Sequence, residues 1–179
     1  MMNSFENWNE IKPIIGGGNP ILPAGAYVCV VKNVMLGSSK AGDEMLTLAI
    51  DIADGDYKDH FKQMFERKKQ FKSDAKWPCQ YYQLTRKDEQ TRGRFKGLIT
   101  VFEKDNPAFR WAWEESALKG LRCGCIFREE EYIGTDSQVH TTTRCYALIP
   151  TEELADAVIP EKKCIAAPQD GFSDSDIPF

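Results

Sequence analysis

The stretch at residues 45–53 restricts the architecture of this chain more than any other: Leu46, Leu48, Ile50 and Ile52 alternate with Thr47, Ala49 and Asp51. A period of two places the four aliphatic side chains on one face, the pattern of a β-strand with one buried side. Asp54-Gly55-Asp56 closes the run with turn chemistry. Upstream, residues 26–36 are rich in β-branched side chains and run into the turn-forming Gly37-Ser38-Ser39-Lys40-Ala41-Gly42-Asp43. Two further strands are predicted at 121–128 and 139–149, with a hairpin turn at Gly134-Thr135-Asp136-Ser137 between them. Another is predicted at 59–66, where Phe61 and Phe65 fall on one side of a looser alternation.

One segment follows a different period. Phe95, Leu98, Ile99 and Phe102 recur at i, i+3, i+4 and i+7, which predicts an amphipathic helix over 94–104. Asn106-Pro107 ends it, because a residue before proline is pushed out of helical space. The order strand, strand, strand, helix, strand, strand predicts a mainly β fold, a five-stranded OB-fold barrel with its helix between strands 3 and 4. Around it, residues 1–23 read as a flexible N-terminal arm containing Gly16-Gly17-Gly18-Asn19-Pro20. Residues 24–150 form the barrel domain, interrupted at 67–90 by an irregular basic, aromatic insertion. Residues 151–179 read as a short helix at 151–158 and a flexible acidic tail.

A chain of 179 residues suits one domain with extensions, and its net charge of -4 argues at first against a polyanionic partner. The distribution reverses that inference. Residues 58–96 carry +7, whereas residues 1–57, 97–149 and 150–179 carry -4, -2 and -5. No apolar run approaches the roughly 18 residues of a membrane span, and the start lacks signal-peptide order, so a cytoplasmic protein is expected. Six cysteines without a Cys-x-x-Cys pair, beside only His60 and His140, point to reduced thiols rather than a zinc site. Cys123 and Cys125 are expected in the core, and no cofactor is expected.

Within the +7 segment, cations and aromatic residues interleave. Lys62, Arg67, Lys68, Lys69, Lys72, Lys76, Arg86, Lys87, Arg92 and Arg94 surround Trp77, Tyr81 and Tyr82. Single-stranded nucleic acid needs both kinds of side chain: cations for phosphates and aromatic faces on which bases stack. The plainer reading is a solvated cationic surface over core aromatics. Pro78 removes a backbone donor next to Trp77 and favours a sheet edge or loop, hence exposure of the indole. Trp111 and Trp113 are expected to pack over one end of the barrel.

The last ten residues, Asp170-Gly171-Phe172-Ser173-Asp174-Ser175-Asp176-Ile177-Pro178-Phe179, set acidic residues before an apolar tripeptide. A partner could seat Phe179 in an apolar pocket and the terminal carboxylate on a basic residue, with Asp174 and Asp176 on a basic rim. This ending resembles the C-terminal tip of bacterial single-stranded DNA-binding proteins. The body is similar to single-stranded DNA-binding proteins of phages and prophages of Gram-positive bacteria. The similarity rests on Leu22-Pro23-Ala24-Gly25-Ala26-Tyr27-Val28, on Asp51-Ile52-Ala53-Asp54-Gly55-Asp56-Tyr57 and on Phe95-Lys96-Gly97-Leu98-Ile99-Thr100. The resemblance implies an OB-fold that coats single-stranded DNA in phage replication and recombination and performs no catalysis. It also implies recruitment of replication, recombination and repair proteins through Asp174, Asp176, Ile177, Pro178 and Phe179. Homo-oligomerisation is compatible with it.

Two alternatives remain at this level. Asp51, Asp54 and Asp56 could bind a divalent cation in a nuclease, although an acidic turn explains them equally well. Alternatively, the chain is a recombination adaptor that acts only through its tip. Gly16-Gly17-Gly18 and Ser38-Ser39-Lys40 do not match a phosphate-binding P-loop.

Overall fold

The computed structural model describes residues 21–165. Five antiparallel strands form one sheet in the order β3-β2-β1-β4-β5: β1 (Gly25–Ser38), β2 (Glu44–Ile52), β3 (Gln80–Leu84), β4 (Arg122–Ile133) and β5 (Val139–Ile149). Helix α1 (His60–Phe71) lies between β2 and β3, and helix α2 (Glu89–Asp105) between β3 and β4. The ladder stays open, with β3 and β5 as its two edges. Among the described residues no helix is long and apolar enough to cross a membrane.

The alternating aliphatic residues of β2 are buried as expected, but Thr47, Ala49 and Asp51 are buried too, so β2 is covered on both faces and not on one. Leu46, Leu48, Ile50 and Ile52 join Val31, Cys29, Cys123, Cys125, Phe127, Leu98 and Phe102 in one core. Cys123 and Cys125 are buried as free thiols, and burial pushes the Cys125 thiol well up. At the close of this core Phe127 meets Tyr27 edge-on at 5.7 Å and stacks on Phe61 at 5.8 Å. Gly124 of β4 has a packing reason: a Cβ there would meet the Ile149 carbonyl oxygen at 2.8 Å. The chain enters the fold before the boundary expected for the arm, since Leu22 is buried and its carbonyl accepts from the Thr143 hydroxyl.

The segment predicted as a third strand, 59–66, is instead the start of α1. Phe61, Met64 and Phe65 satisfy the i, i+3, i+4 spacing as well as a loose alternation, and the Glu, Arg, Lys and Gln that follow are good helix formers. The region 67–90 is likewise not irregular: it holds the end of α1, all of β3 and the start of α2. The short helix predicted at 151–158 is a 3₁₀ helix over Thr151–Asp156.

Helix α1 starts without a side-chain cap of its own; Asp59 before it adopts left-handed backbone, φ 58°. Its leading amides are served from the sheet. Fully buried Asp51 on β2 accepts from the backbone N–H of Phe61 at 2.9 Å, of Lys62 at 3.2 Å and of Ile52 at 3.0 Å. A carboxylate here satisfies orphan donors and complements the positive end of the helix dipole. Burial nevertheless pushes the Asp51 carboxyl above its ordinary value, outweighing the three donors and Lys32. The folded state therefore holds that proton more tightly than the unfolded chain. The stability linked to this proton is fully present below about pH 4 and is lost as pH rises through the folded value, whereas the bonds accepted from the α1 amides persist with the carboxylate. Asp51→Ala strands the α1 amides, and a loss of about 2–4 kcal/mol is expected in urea unfolding.

Helix α2 is capped conventionally. The Asp88 side chain accepts from the Thr91 N–H at 2.7 Å, and Glu89 and Lys104 match the dipole at either end. Asn106 closes it by donating to the carbonyls of Phe102 and Arg122, while its own oxygen accepts from the Arg122 N–H. That clasp ties the end of α2 to the start of β4.

Candidate nucleic-acid interface

The edges β3 and β5 face one another across a groove of about 440 Å³. Cys79, immediately before β3, lies against Cys145 of β5. The inward-facing Tyr81 is also close to Cys145 and Cys125, and burial pushes its phenol up to about 12. Two aromatic rings are about half exposed on the groove's walls: Tyr82 on β3, at 53%, and Tyr146 on β5, at 49%. A β-bulge falls at Tyr146. Ile126 pairs with Ala147 and Phe127 with Cys145, so Tyr146 is the unmatched residue, and it shares the exposed side of β5 with Arg144.

Arg94 of α2 and Arg144 of β5 supply positive charge to the same groove. Arg144 lies 3.6 Å from Glu130, which also holds Arg128 at 2.7 Å. Arg128 in turn covers the Tyr146 ring at 4.6 Å from its centroid, a cation–π contact that fixes the ring's orientation. The hydroxyl of Tyr82 donates to the Gln80 side chain. By register, Met35, Thr47 and Tyr82 form one row across β1, β2 and β3, and Met35 is exposed like Tyr82. Exposed tyrosines with arginines beside them can stack bases and bind phosphates without reading a sequence.

The other predicted contacts separate into groups. Lys62, Arg67, Lys68, Lys69 and Lys72 line the exposed parts of α1 and its C-cap, with Lys76 beyond. Lys68 and Lys69 fall in the last helical turn, where they also offset the dipole. Arg86 and Lys87 are engaged with Glu44 at 3.2 Å and Asp43 at 3.5 Å, which ties the β1–β2 hairpin to the end of β3. Arg92 faces a different cavity from Arg94, on the opposite flank of α2.

Trp77 is not displayed as its neighbour Pro78 suggested. Its indole N–H donates to the Ile50 carbonyl at 2.8 Å and its ring packs on Phe65 at 5.3 Å, so it fastens the α1–β3 connection to β2. Tyr81 also packs against the core. Of the three predicted stacking residues, Tyr82 alone is exposed. The reverse holds after α2: Trp111 packs on the core as expected, but Trp113 is 74% exposed. Its backbone is left-handed, φ 64°, and turns the ring outward.

Arg128, Arg144 and Tyr146 were missed in the sequence because they lie in strands outside the +7 segment. The spacing of Arg144 and Tyr146 was visible; the approach of the β5 edge to β3 was not. Asp51 serves the α1 amides and Asp54 pairs with Arg122. Among the described residues no group of three His, Cys, Asp or Glu side chains is placed to hold a metal ion. The predicted partner-binding residues Asp174, Asp176, Ile177, Pro178 and Phe179 lie outside the described residues. Comparison with known protein families and with curated proteins finds no match for this chain.

Proposed function

We propose that this chain is a single-stranded DNA-binding protein of the phage and prophage type, built on an OB-type barrel. The observation that carries the reading is the β3–β5 groove, where exposed Tyr82 and Tyr146 stand beside Arg94 and Arg144 between two unpaired strand edges. The strand order supports the barrel assignment, since drawing the two edges together would close a five-stranded barrel of the OB type. Bases stack on the tyrosines, and the phosphates run toward the arginines and the cationic α1. In this reading the protein coats single strands during phage replication and recombination in the host cytoplasm. Its sequence 174–179 recruits replication, recombination and repair enzymes, and no catalytic step belongs to it.

A fluorescence-anisotropy titration of labelled oligo(dT) and of a duplex of equal length, with and without magnesium, tests the proposal. The expected result is preferential binding of the single strand and no cleavage. With about four to six phosphates contacted, log K should fall against log salt with a slope near -3 to -4. A flat salt response rejects the groove. Magnesium-dependent cleavage favours the nuclease reading, and an absence of strand binding leaves the adaptor.

A further inference from the structure

On the flank of α2 away from the groove, a second cavity of about 830 Å³ opens between α2, the ends of β1 and β2, and the connection from α2 to β4. Its walls are Leu36, Leu46, Phe95, Ile99, Trp111 and Trp113. Trp113 meets Trp111 at 6.1 Å, and Trp111 meets Phe95 at 5.8 Å, an aromatic wall continuing into the core. Three cations, Arg86, Arg92 and Lys96, and three acids, Glu44, Glu103 and Glu115, line the remainder. Two of the acids are already used: Glu44 holds Arg86, and Glu103 accepts the Trp111 backbone N–H at 3.0 Å. Arg92 and Lys96 enter no ion pair among the described residues and sit one helical turn apart on the same side of α2.

We propose that this cavity seats residues 174–179 of the same chain, with Ile177, Pro178 and Phe179 against the aromatic wall and Asp174 and Asp176 toward Arg92 and Lys96. The occupant follows from chemistry and reach. A cavity of this size and apolar lining takes a short apolar peptide with a few charges at its mouth. The segment that offers this is the acidic, apolar sequence Asp-Ser-Asp-Ile-Pro-Phe. The β3–β5 groove, lined by Gln80, Tyr82, Arg94, Glu130 and Arg144, is too polar to reward burial of Ile and Phe. Fourteen residues follow Ile165, ending at Phe179, and can span about 46–50 Å, whereas the 145 described residues correspond to a radius of gyration of about 15 Å. The extended tail is therefore longer than the radius of the body and can cross much of its surface. A seated tip covers the exposed Trp113 ring and is withheld from other proteins, so recruitment would require its release. The inference stands whether or not the groove binds DNA.

Photo-crosslinking of the full chain tests it, with p-benzoyl-phenylalanine in place of Phe179 and products mapped by mass spectrometry. Crosslinks within one chain to Phe95, Ile99 or Trp113 are expected. The double substitution Arg92→Glu and Lys96→Glu should lower their yield by about fivefold, the weight of a few partly exposed charge contacts. Both residues are exposed on α2, and the circular dichroism of the variant should match that of the parent. Crosslinks to Tyr82 or Tyr146, crosslinks only between chains, or none above an unirradiated control would each overturn the proposal. An undiminished yield in the double variant would overturn the charge pairing.

Discussion

Replacing Tyr82 and Tyr146 together by alanine is expected to weaken oligo(dT) binding about 100-fold. Each stacked base contributes roughly 1–3 kcal/mol through an aromatic face, or about five- to 150-fold per ring. The two rings are the exposed aromatic walls of the β3–β5 groove, and Arg128 holds Tyr146 in place. Because both side chains are about half exposed, the substitutions should leave the urea midpoint nearly unchanged. Affinity and stability are thereby separated. Phenylalanine at both positions keeps the π faces and should retain most of the affinity. A loss of less than about threefold in the alanine pair would falsify the groove as the stacking site. Attention would then move to the hairpin at 132–140, where Tyr132 meets His140 and Ile133 and Val139 are exposed.

Phe127→Ala should have the largest effect on stability. Phe127 is completely buried, packs against Tyr27 and Phe61, and so joins β1, β4 and α1. Truncating such a ring costs about 3–5 kcal/mol, from lost transfer free energy and from the cavity left where neighbours cannot close in. With a urea dependence of about 1–3 kcal/mol per molar, the midpoint should fall by roughly 2 M. Marginal total stability makes partial unfolding at room temperature an expected companion. A shift under about 0.5 M would mean that the Tyr27–Phe127–Phe61 stack is not part of the cooperative core.

The elements most legible in the sequence are those whose burial follows one period for long enough. Residues 45–52 alternate without interruption because one face of β2 meets the core along its whole length, and the strands at 26–36, 121–128 and 139–149 carried enough β-branched and apolar residues to be placed. Residues 59–66 carried only three apolar side chains, and their spacing suited a helix equally. What decides that segment is Asp51, eight residues upstream of Asp59, which lends its carboxylate to the first amides of α1. β3 was hidden inside a cationic stretch because an edge strand of five residues has one ladder and a short pattern.

The same division runs through the candidate site. Composition singled out the cations and aromatics of 62–94 as a class, but exposure is a property of packing. Trp77 lost its availability to a hydrogen bond with Ile50, 27 residues away, and Tyr81 to the strand pleat that turns alternate side chains inward. Tyr146 gained its place because the β5 edge faces β3, and Trp113 through a left-handed backbone angle.

The mainly β class, the positions of four strands, the burial of Cys123 and Cys125, and the concentration of positive charge in mid-chain were written in local pattern, because periodicity and charge are properties of neighbouring residues. Which edges face one another, which aromatic rings remain exposed, and which flank of α2 opens into a groove or a cavity arise from contacts between residues 27 to 121 positions apart. A linear pattern records the side of an element that is apolar. The partner that covers it is chosen only when distant strands compete for the same apolar surface, and that competition left Tyr82 and Tyr146 about half exposed.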